Sequence, residues 1–218
     1  LIVSDMNSRH SMFGYSGRSN PKGRQLNELV FNLYRNNQFI GQHTYLFNRD
    51  GQNLIVQNTI NFEIKILGIT LYKYFAKGQE LYIDGKFHSF SSMTKQNKKE
   101  KFVKIYKNED QFFIEGSSYK GEAPKDFIIG TWWNHLIVKS NAQISAASGR
   151  IIEQNVKFIG KETIKINNEK YSALRFNFFS SDPSLSKDKK LNMDVWYDEK
   201  SLMWLKASFD NDGYWEYR

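Results

Sequence analysis

The densest group of chemically capable side chains is Trp132-Trp133-Asn134-His135, two indoles, an amide and an imidazole in four successive residues. Ligand cavities combine apolar area with a few orienting polar atoms, so this group suits a cavity wall or a lid. A structural reading competes with it, because two tryptophans on a crossover also serve to plug the open end of a sheet. The second group is Trp196-Tyr197-Asp198. Its aromatics suit stacking on neighbouring strands, and Asp198 suits a bond back to its own backbone at a turn. The candidate ligand-binding residues are therefore Trp132, Trp133, Asn134, His135, Trp196 and Tyr197, and no catalytic set is assigned.

Several chemistries lack their residues. The histidines His10, His43, His88 and His135 lie on separate segments without the i, i+4 spacing of a helical metal site, so no metal is expected. His43 and His88 fall in strand-like segments where a water-facing position is open to them, and a structural role rather than ligation is expected of each. The absence of cysteine removes disulfides, thiolate zinc sites and cysteine nucleophiles. Asp210-Asn211-Asp212-Gly213 resembles the start of a calcium loop, but the chain ends before the required bidentate acid, which leaves a hairpin turn. There is neither a GxSxG elbow nor a phosphate-cradling glycine loop, and no cofactor is implied. Glu80, Asp194 and Glu216 suit cross-strand pairing, but no acid/base dyad is visible in their spacing.

The net charge of +8 suits an anionic surface. The lysines nevertheless cluster at Lys95, Lys98, Lys99, Lys101 and Lys104, and again at Lys187, Lys189 and Lys190, beside turns where solvated charge is ordinary. The aromatics follow core parity and no RNP-type signature is present, so nucleic acid is not an expected partner.

These groups must be positioned by strands. Aromatic residues make up 16% of the chain, which favours sheet, and only Pro21, Pro124 and Pro183 interrupt potential ladders. Leu54, Val56, Ile60, Phe62, Ile64 and Ile66 share one parity while Gln57, Thr59, Asn61, Glu63 and Lys65 share the other, a period of two. Ile55 and Asn58 interrupt that pattern, which suggests a bulge or a two-sided position. Asn36-Asn37, Asp50-Gly51, Asp84-Gly85, Asn167-Asn168 and Asp212-Gly213 read as hairpin turns. Extended segments are expected over Ile151 to Ile159 and, separately, over Glu162 to Ile166.

The strand rhythm breaks near 131–147, where Thr131 suits the cap of a short helix over Trp132 to Lys139 and Ala142 to Ala147 suits helical turns. The expectation is an all-β fold, a large antiparallel meander of about thirteen strands forming a curved sheet, a half-barrel or a closed barrel with one short helical crossover. Residues 1–26 read as a flexible basic leader and 27–218 as a single antiparallel β domain. No apolar run is long enough for a helical membrane span. The start at Leu1 is that expected of a processed or trimmed chain, with any signal peptide upstream of it.

Leu29 to Tyr217 resembles an uncharacterised family of bacterial exported β-proteins. The resemblance lies in Gly41 in the early strand pair, Glu80 to Thr94 with Asp84-Gly85, Trp133-Asn134, Ser148-Gly149, Trp196-Tyr197-Asp198 and Asp212-Gly213, with Tyr82 standing where tryptophan is expected. It implies a cleaved signal peptide, a periplasmic address and an architecture similar to the incomplete barrels of lipoprotein-localisation carriers, which hold acyl chains in an apolar concavity. It implies no activity, cofactor or catalytic residue.

The functional expectation is a noncatalytic exported protein whose concave sheet binds a hydrophobic ligand, a lipid or an acylated peptide. Two alternatives are an envelope-acting hydrolase centred on His135 and an interaction module that binds anionic envelope surfaces through its basic tips.

Overall fold

The computed structural model describes residues 26–218. The expected leader therefore lies outside the described residues apart from Leu26, whose carbonyl accepts a bond from Arg49 Nη1 at 2.9 Å. In the first half the strands are β1 (Glu28–Arg35), β2 (Gln38–Asp50), β3 (Asn53–Ile66), β4 (Ile69–Ile83), β5 (Lys86–Gln96), β6 (Lys99–Asn108), β7 (Gln111–Gly116) and β8 (Lys120–Glu122). In the second half they are β9 (Phe127–Ile129), β10 (Ala142–Ile144), β11 (Ile151–Ile166), β12 (Glu169–Ser180), β13 (Asn192–Asp198), β14 (Trp204–Asp210) and β15 (Tyr214–Tyr217). All fifteen join one sheet in the order β8-β7-β6-β5-β4-β3-β2-β1-β15-β14-β13-β12-β11-β10-β9. Every pairing is antiparallel except β9 with β10.

The two end strands, β8 and β9, are consecutive in sequence, so the sheet has rolled until its edges approach. They form no ladder with each other. The seam is held by Phe90, Val103, Ile105, Ile114, Ala123, Ile129 and Ile144, and by the bond from Ser118 N–H to the Ser148 carbonyl at 2.9 Å. Gly116 and Gly149 meet there, and a Cβ on Gly116 would lie 2.7 Å from the Ser148 oxygen. Only glycine allows two backbones so close.

Turn chemistry sets the hairpins. Asn36 and Asn37, Asp84 and Gly85, and Asn167 and Asn168 all carry positive φ, the conformation that a two-residue turn between twisted strands demands. The antiparallel order places the turns after β1, β3, β5 and β14 on one rim, here the upper rim, and those after β2, β4, β6 and β11 on the lower rim.

Alternation along β3 buries Leu54, Val56, Ile60 and Phe62 and exposes Gln57, Thr59 and Asn61. Asn58 does not mark a bulge. It keeps register with Tyr45 and Gly78 as an inward-facing polar residue, and the ladder shifts later, between Ile64 and Lys65. The two segments expected over 151–159 and 162–166 are one strand, β11, because the bulge between Phe158 and Gly160 absorbs the break in pattern without ending the pairing.

The crossover also differs from expectation. The only helical turn it contains is the 3-10 helix His135–Lys139, capped by Asn134, whose side-chain oxygen accepts from Leu136 N–H. Thr131 is not the cap, because its hydroxyl is bonded elsewhere, to Glu80. Ala142–Ile144 is strand rather than helix, since β9 and β11 each offer it an edge. From β9 the chain enters the barrel, and Trp133, Ile137 and Val138 join the main core with Phe31, Phe47, Phe176 and Phe178.

Candidate functional site

Register across β2, β3, β4 and β5 arranges the inward side chains in layers. Phe62 and Tyr74 form a layer near the upper rim. Below it lie His43, Ile60, Ala76 and Thr94, then Tyr45, Asn58, Gly78 and Ser92, then Phe47, Val56, Glu80 and Phe90. The top is aromatic, two middle layers are mixed with small residues, and the bottom layer meets the crossover.

The crossover is pinned from both sides of the barrel. Glu80, only 1% exposed, accepts hydrogen bonds from Tyr82 Oη (2.6 Å), Thr131 Oγ1 (2.7 Å) and Trp133 Nε1 (2.8 Å). Burial pushes its carboxyl pKa up, opposed by these three donors. Tyr45 Oη donates to the Thr131 carbonyl at 2.6 Å and Tyr197 Oη to the Trp132 carbonyl at 2.8 Å. These bonds hold Trp132 at φ 58°, a conformation that costs a bulky residue about 1–3 kcal/mol. Along the crossover, Gln143 Nε2 donates to Gln154 Oε1 (2.7 Å), and Gln154 Nε2 donates to the carbonyls of Ile137 and Ser140.

Above the crossover the interior opens. A cleft of about 540 Å3 at the upper rim is walled by Ile60, Phe62, Ile64, Tyr74, Phe209 and Trp215. Its rings are ordered: Phe62 stacks on Tyr74 with centroids 5.0 Å apart, Phe209 stacks on Trp215 at 5.7 Å, and Phe62 meets Trp215 edge-on at 5.4 Å. Beneath it lies a chamber of about 200 Å3 bordered by His43, Asn58, Thr94, Trp132 and small residues of the crossover. Ile60, Tyr74 and Tyr217 border both spaces.

His43 is buried rather than water-facing, because it shares the parity of Tyr45 and Phe47. Its ring lies 4.4 Å from that of Tyr45, and burial lowers its pKa to about 3, so it is uncharged at neutral pH. His88 is exposed.

The six residues singled out from sequence divide between three places. Trp132 borders the chamber and packs edge-on against Trp204 and Tyr217. Trp133, Asn134 and His135 are buried in the lower plug, and Tyr197 is the phenol that holds the Trp132 carbonyl. Trp196 has the opposite parity on β13 and is buried on the outer face of the sheet, in a small cluster with Ala173 and Leu205. It lies under Arg175 and Lys206, whose cationic groups sit 5.0 and 5.2 Å from its ring centre, and its indole N–H donates to Glu162. Glu80, Asp194 and Glu216 do not converge: Asp194 pairs with Arg175, and Glu216 with Lys206 and Arg218. Among the described residues no cluster of three or more metal-ligating side chains occurs.

The crystal structure of the beta-barrel-like protein of domain of unknown function DUF1849 from Brucella abortus has a similar fold. Its TM-score is 0.61 over 88% of this chain and 94% of that chain, at 9% sequence identity. No curated protein matches the sequence. The sequence pattern of the family described as Domain of unknown function (DUF6134) matches residues 31–218, all fifteen strands save the first three residues of β1, and the chain belongs to that family.

Proposed function

We propose that the protein is a noncatalytic binder of a hydrophobic ligand, a lipid or acylated chain, held in the upper cleft of the barrel. The observation that carries this reading is the cleft itself. It offers about 540 Å3 between largely aromatic and aliphatic walls, with Arg35, Asn211 and Asp212 on its border, within the range of small-molecule sites. Among the described residues the crossover occupies much of the lower barrel, so the ligand enters the cleft from the upper rim. An exported, periplasmic location, inferred from the family resemblance read in the sequence, fits such a ligand. Native mass spectrometry of gently purified protein tests the reading. One added mass in the lipid range per chain is expected, whereas bare chain that also fails to bind the neutral dye N-phenyl-1-naphthylamine contradicts it.

A second reading concerns where the ligand is exchanged. The tip joining β3 to β4 leaves Ile66, Leu67, Ile69 and Leu71 exposed, Leu67 at 97%, and Ile66 and Leu71 also border the cleft. Lys65 and Lys73 flank this tip, sharing Glu63, and the neighbouring tip carries Lys95, Lys98 and Lys99. Asn97 joins the two hairpins through bonds to the Lys73 backbone at 2.8 and 2.9 Å. Apolar residues ringed by lysine suit the interface of an anionic bilayer. Co-sedimentation with phosphatidylglycerol vesicles is expected to exceed that with phosphatidylcholine, to weaken with salt and to be lost in Leu67→Asp. Binding that ignores both salt and this substitution contradicts the reading.

A further inference from the structure

The chamber beneath the cleft is polar in a way that the fold does not use. Among the described residues, neither ring nitrogen of His43 nor Asn58 Nδ2 has a hydrogen-bond partner, although His43 is 92% and Asn58 93% buried by their 8% and 7% exposures. Both residues border the chamber. Leaving such groups unpaired costs about 1–3 kcal/mol each, so their presence needs a reason. Glu80 and the Gln143–Gln154 pair are satisfied by contrast, whereas Thr94 Oγ1, which also borders the chamber, and Arg49 Nε are not.

The space around them is produced by small residues on both walls, Ala76 from β4 and Gly130, Ala146 and Ala147 from the crossover. Among the described residues no cation points in. Lys77 borders the chamber from the exposed parity of β4, with its ammonium 5.6 Å from the Phe75 ring centre. Glu80 lies a layer below and is occupied by its three donors. A carboxylate, sulfate or ammonium placed here would lose its hydration without gaining a counter-ion. An uncharged group that both donates and accepts matches neutral imidazole and amide.

We propose that the chamber is a head-group site: it takes the uncharged hydrogen-bonding end of a single-chain amphiphile, a hydroxyl or amide that both donates and accepts, whose chain occupies the aromatic cleft above. The ligand thus sits polar end down. This assignment rests on the hydrophobic-ligand reading and narrows it to a class, excluding fatty-acid anions and cationic lipids as preferred ligands.

Displacement of N-phenyl-1-naphthylamine from the full chain, by decanoylglycerol, decyl sulfate and decyltrimethylammonium below micelle formation, tests it. Decanoylglycerol is expected to displace the dye at about tenfold lower concentration than either charged probe, the equivalent of one or two buried hydrogen bonds. His43→Phe should keep dye binding and reduce the preference to less than about threefold, while His43→Gln, which retains a donor and an acceptor, should keep it. Asn58→Leu gives the same reading if His43→Phe does not fold. No dye binding by the wild-type chain overturns the ligand reading itself. Dye binding with equal displacement by all three probes, or a preference unchanged in both His43→Phe and Asn58→Leu, overturns the head-group assignment alone and leaves the chamber to water.

Discussion

Replacing Glu80 separates a shape requirement from a charge requirement at the point where the crossover is fastened to the sheet. Its two oxygens divide the work: Oε1 accepts from Thr131 and Trp133, and Oε2 from Tyr82. Leucine removes both acceptor oxygens and leaves three buried donors, each costing about 1–3 kcal/mol when unpaired. Relief of the carboxyl's own desolvation offsets part of that sum, so Glu80→Leu is expected to lose about 3 kcal/mol or more. For a chain of this size that corresponds to a melting temperature about 6–12 °C lower. Glutamine behaves differently. With its oxygen at the Oε1 position it keeps Thr131 and Trp133, and its amide faces the Tyr82 hydroxyl, which can rotate to accept. Glu80→Gln is therefore expected within about 1 kcal/mol of wild type. Urea unfolding followed by far-ultraviolet circular dichroism, with m-values checked for constancy, measures both. A Glu80→Leu protein as stable as wild type, or a Glu80→Gln protein as damaged as Glu80→Leu, would refute the role given to this carboxyl.

Acid should expose the cost of burying His43. Its folded pKa of about 3 lies below the ordinary histidine value of 6.5, so the unfolded chain binds the extra proton between those values. Its contribution is thus undiminished above pH 6.5 and falls by about 1.4 kcal/mol per pH unit on acidification, about 2 kcal/mol by pH 5. Glu80, with its pKa raised by burial, contributes with the opposite sign, but it is common to wild type and His43→Phe, so the difference between their urea midpoints across pH 7 to 5 isolates the histidine. A constant difference would contradict its burial as a neutral ring. Gly41→Ala should destabilise by about 3 kcal/mol or more, because its Cβ would lie 2.1 Å from the Asn61 carbonyl oxygen and force β2 off β3; a urea midpoint near wild type would show that the strands separate easily. Trp196→Phe should leave dye affinity unchanged, since Trp196 lies on the outer face; an affinity loss above about threefold would place it in the ligand path.

The period-two pattern and the asparagine and glycine turns made the β architecture readable, down to individual hairpins such as Asp84-Gly85. Alternation reports the local backbone and burial on one face, which strands impose independently of the rest of the chain. The crossover was less readable. Whether Ala142–Ile144 forms a strand depends on edges offered by β9 and β11, which short-range propensity does not contain. Trp132 to His135 drew notice by residue type, yet most of that group fastens the plug, while the chamber is built by His43 and Asn58. The available signal was parity. His43 falls in step with Tyr45 and Phe47, and Asn58 with Val56 and Ile60, so each is a polar residue on an apolar face. Glu80, in step with Tyr82, carried the same signal. What no parity reveals is which polar residues from separate strands share a layer, since that follows from register across three hairpins.

Methyl-resolved NMR of isoleucine-labelled protein during titration with decanoylglycerol places the ligand directly. Ile60 and Ile64 line the cleft, whereas Ile105, Ile114 and Ile144 belong to the seam cluster and serve as internal controls. Saturable shifts of Ile60 and Ile64 with the seam methyls unmoved are expected. Shifts confined to the seam, or no shift anywhere at saturating lipid, would contradict ligand binding in the upper barrel.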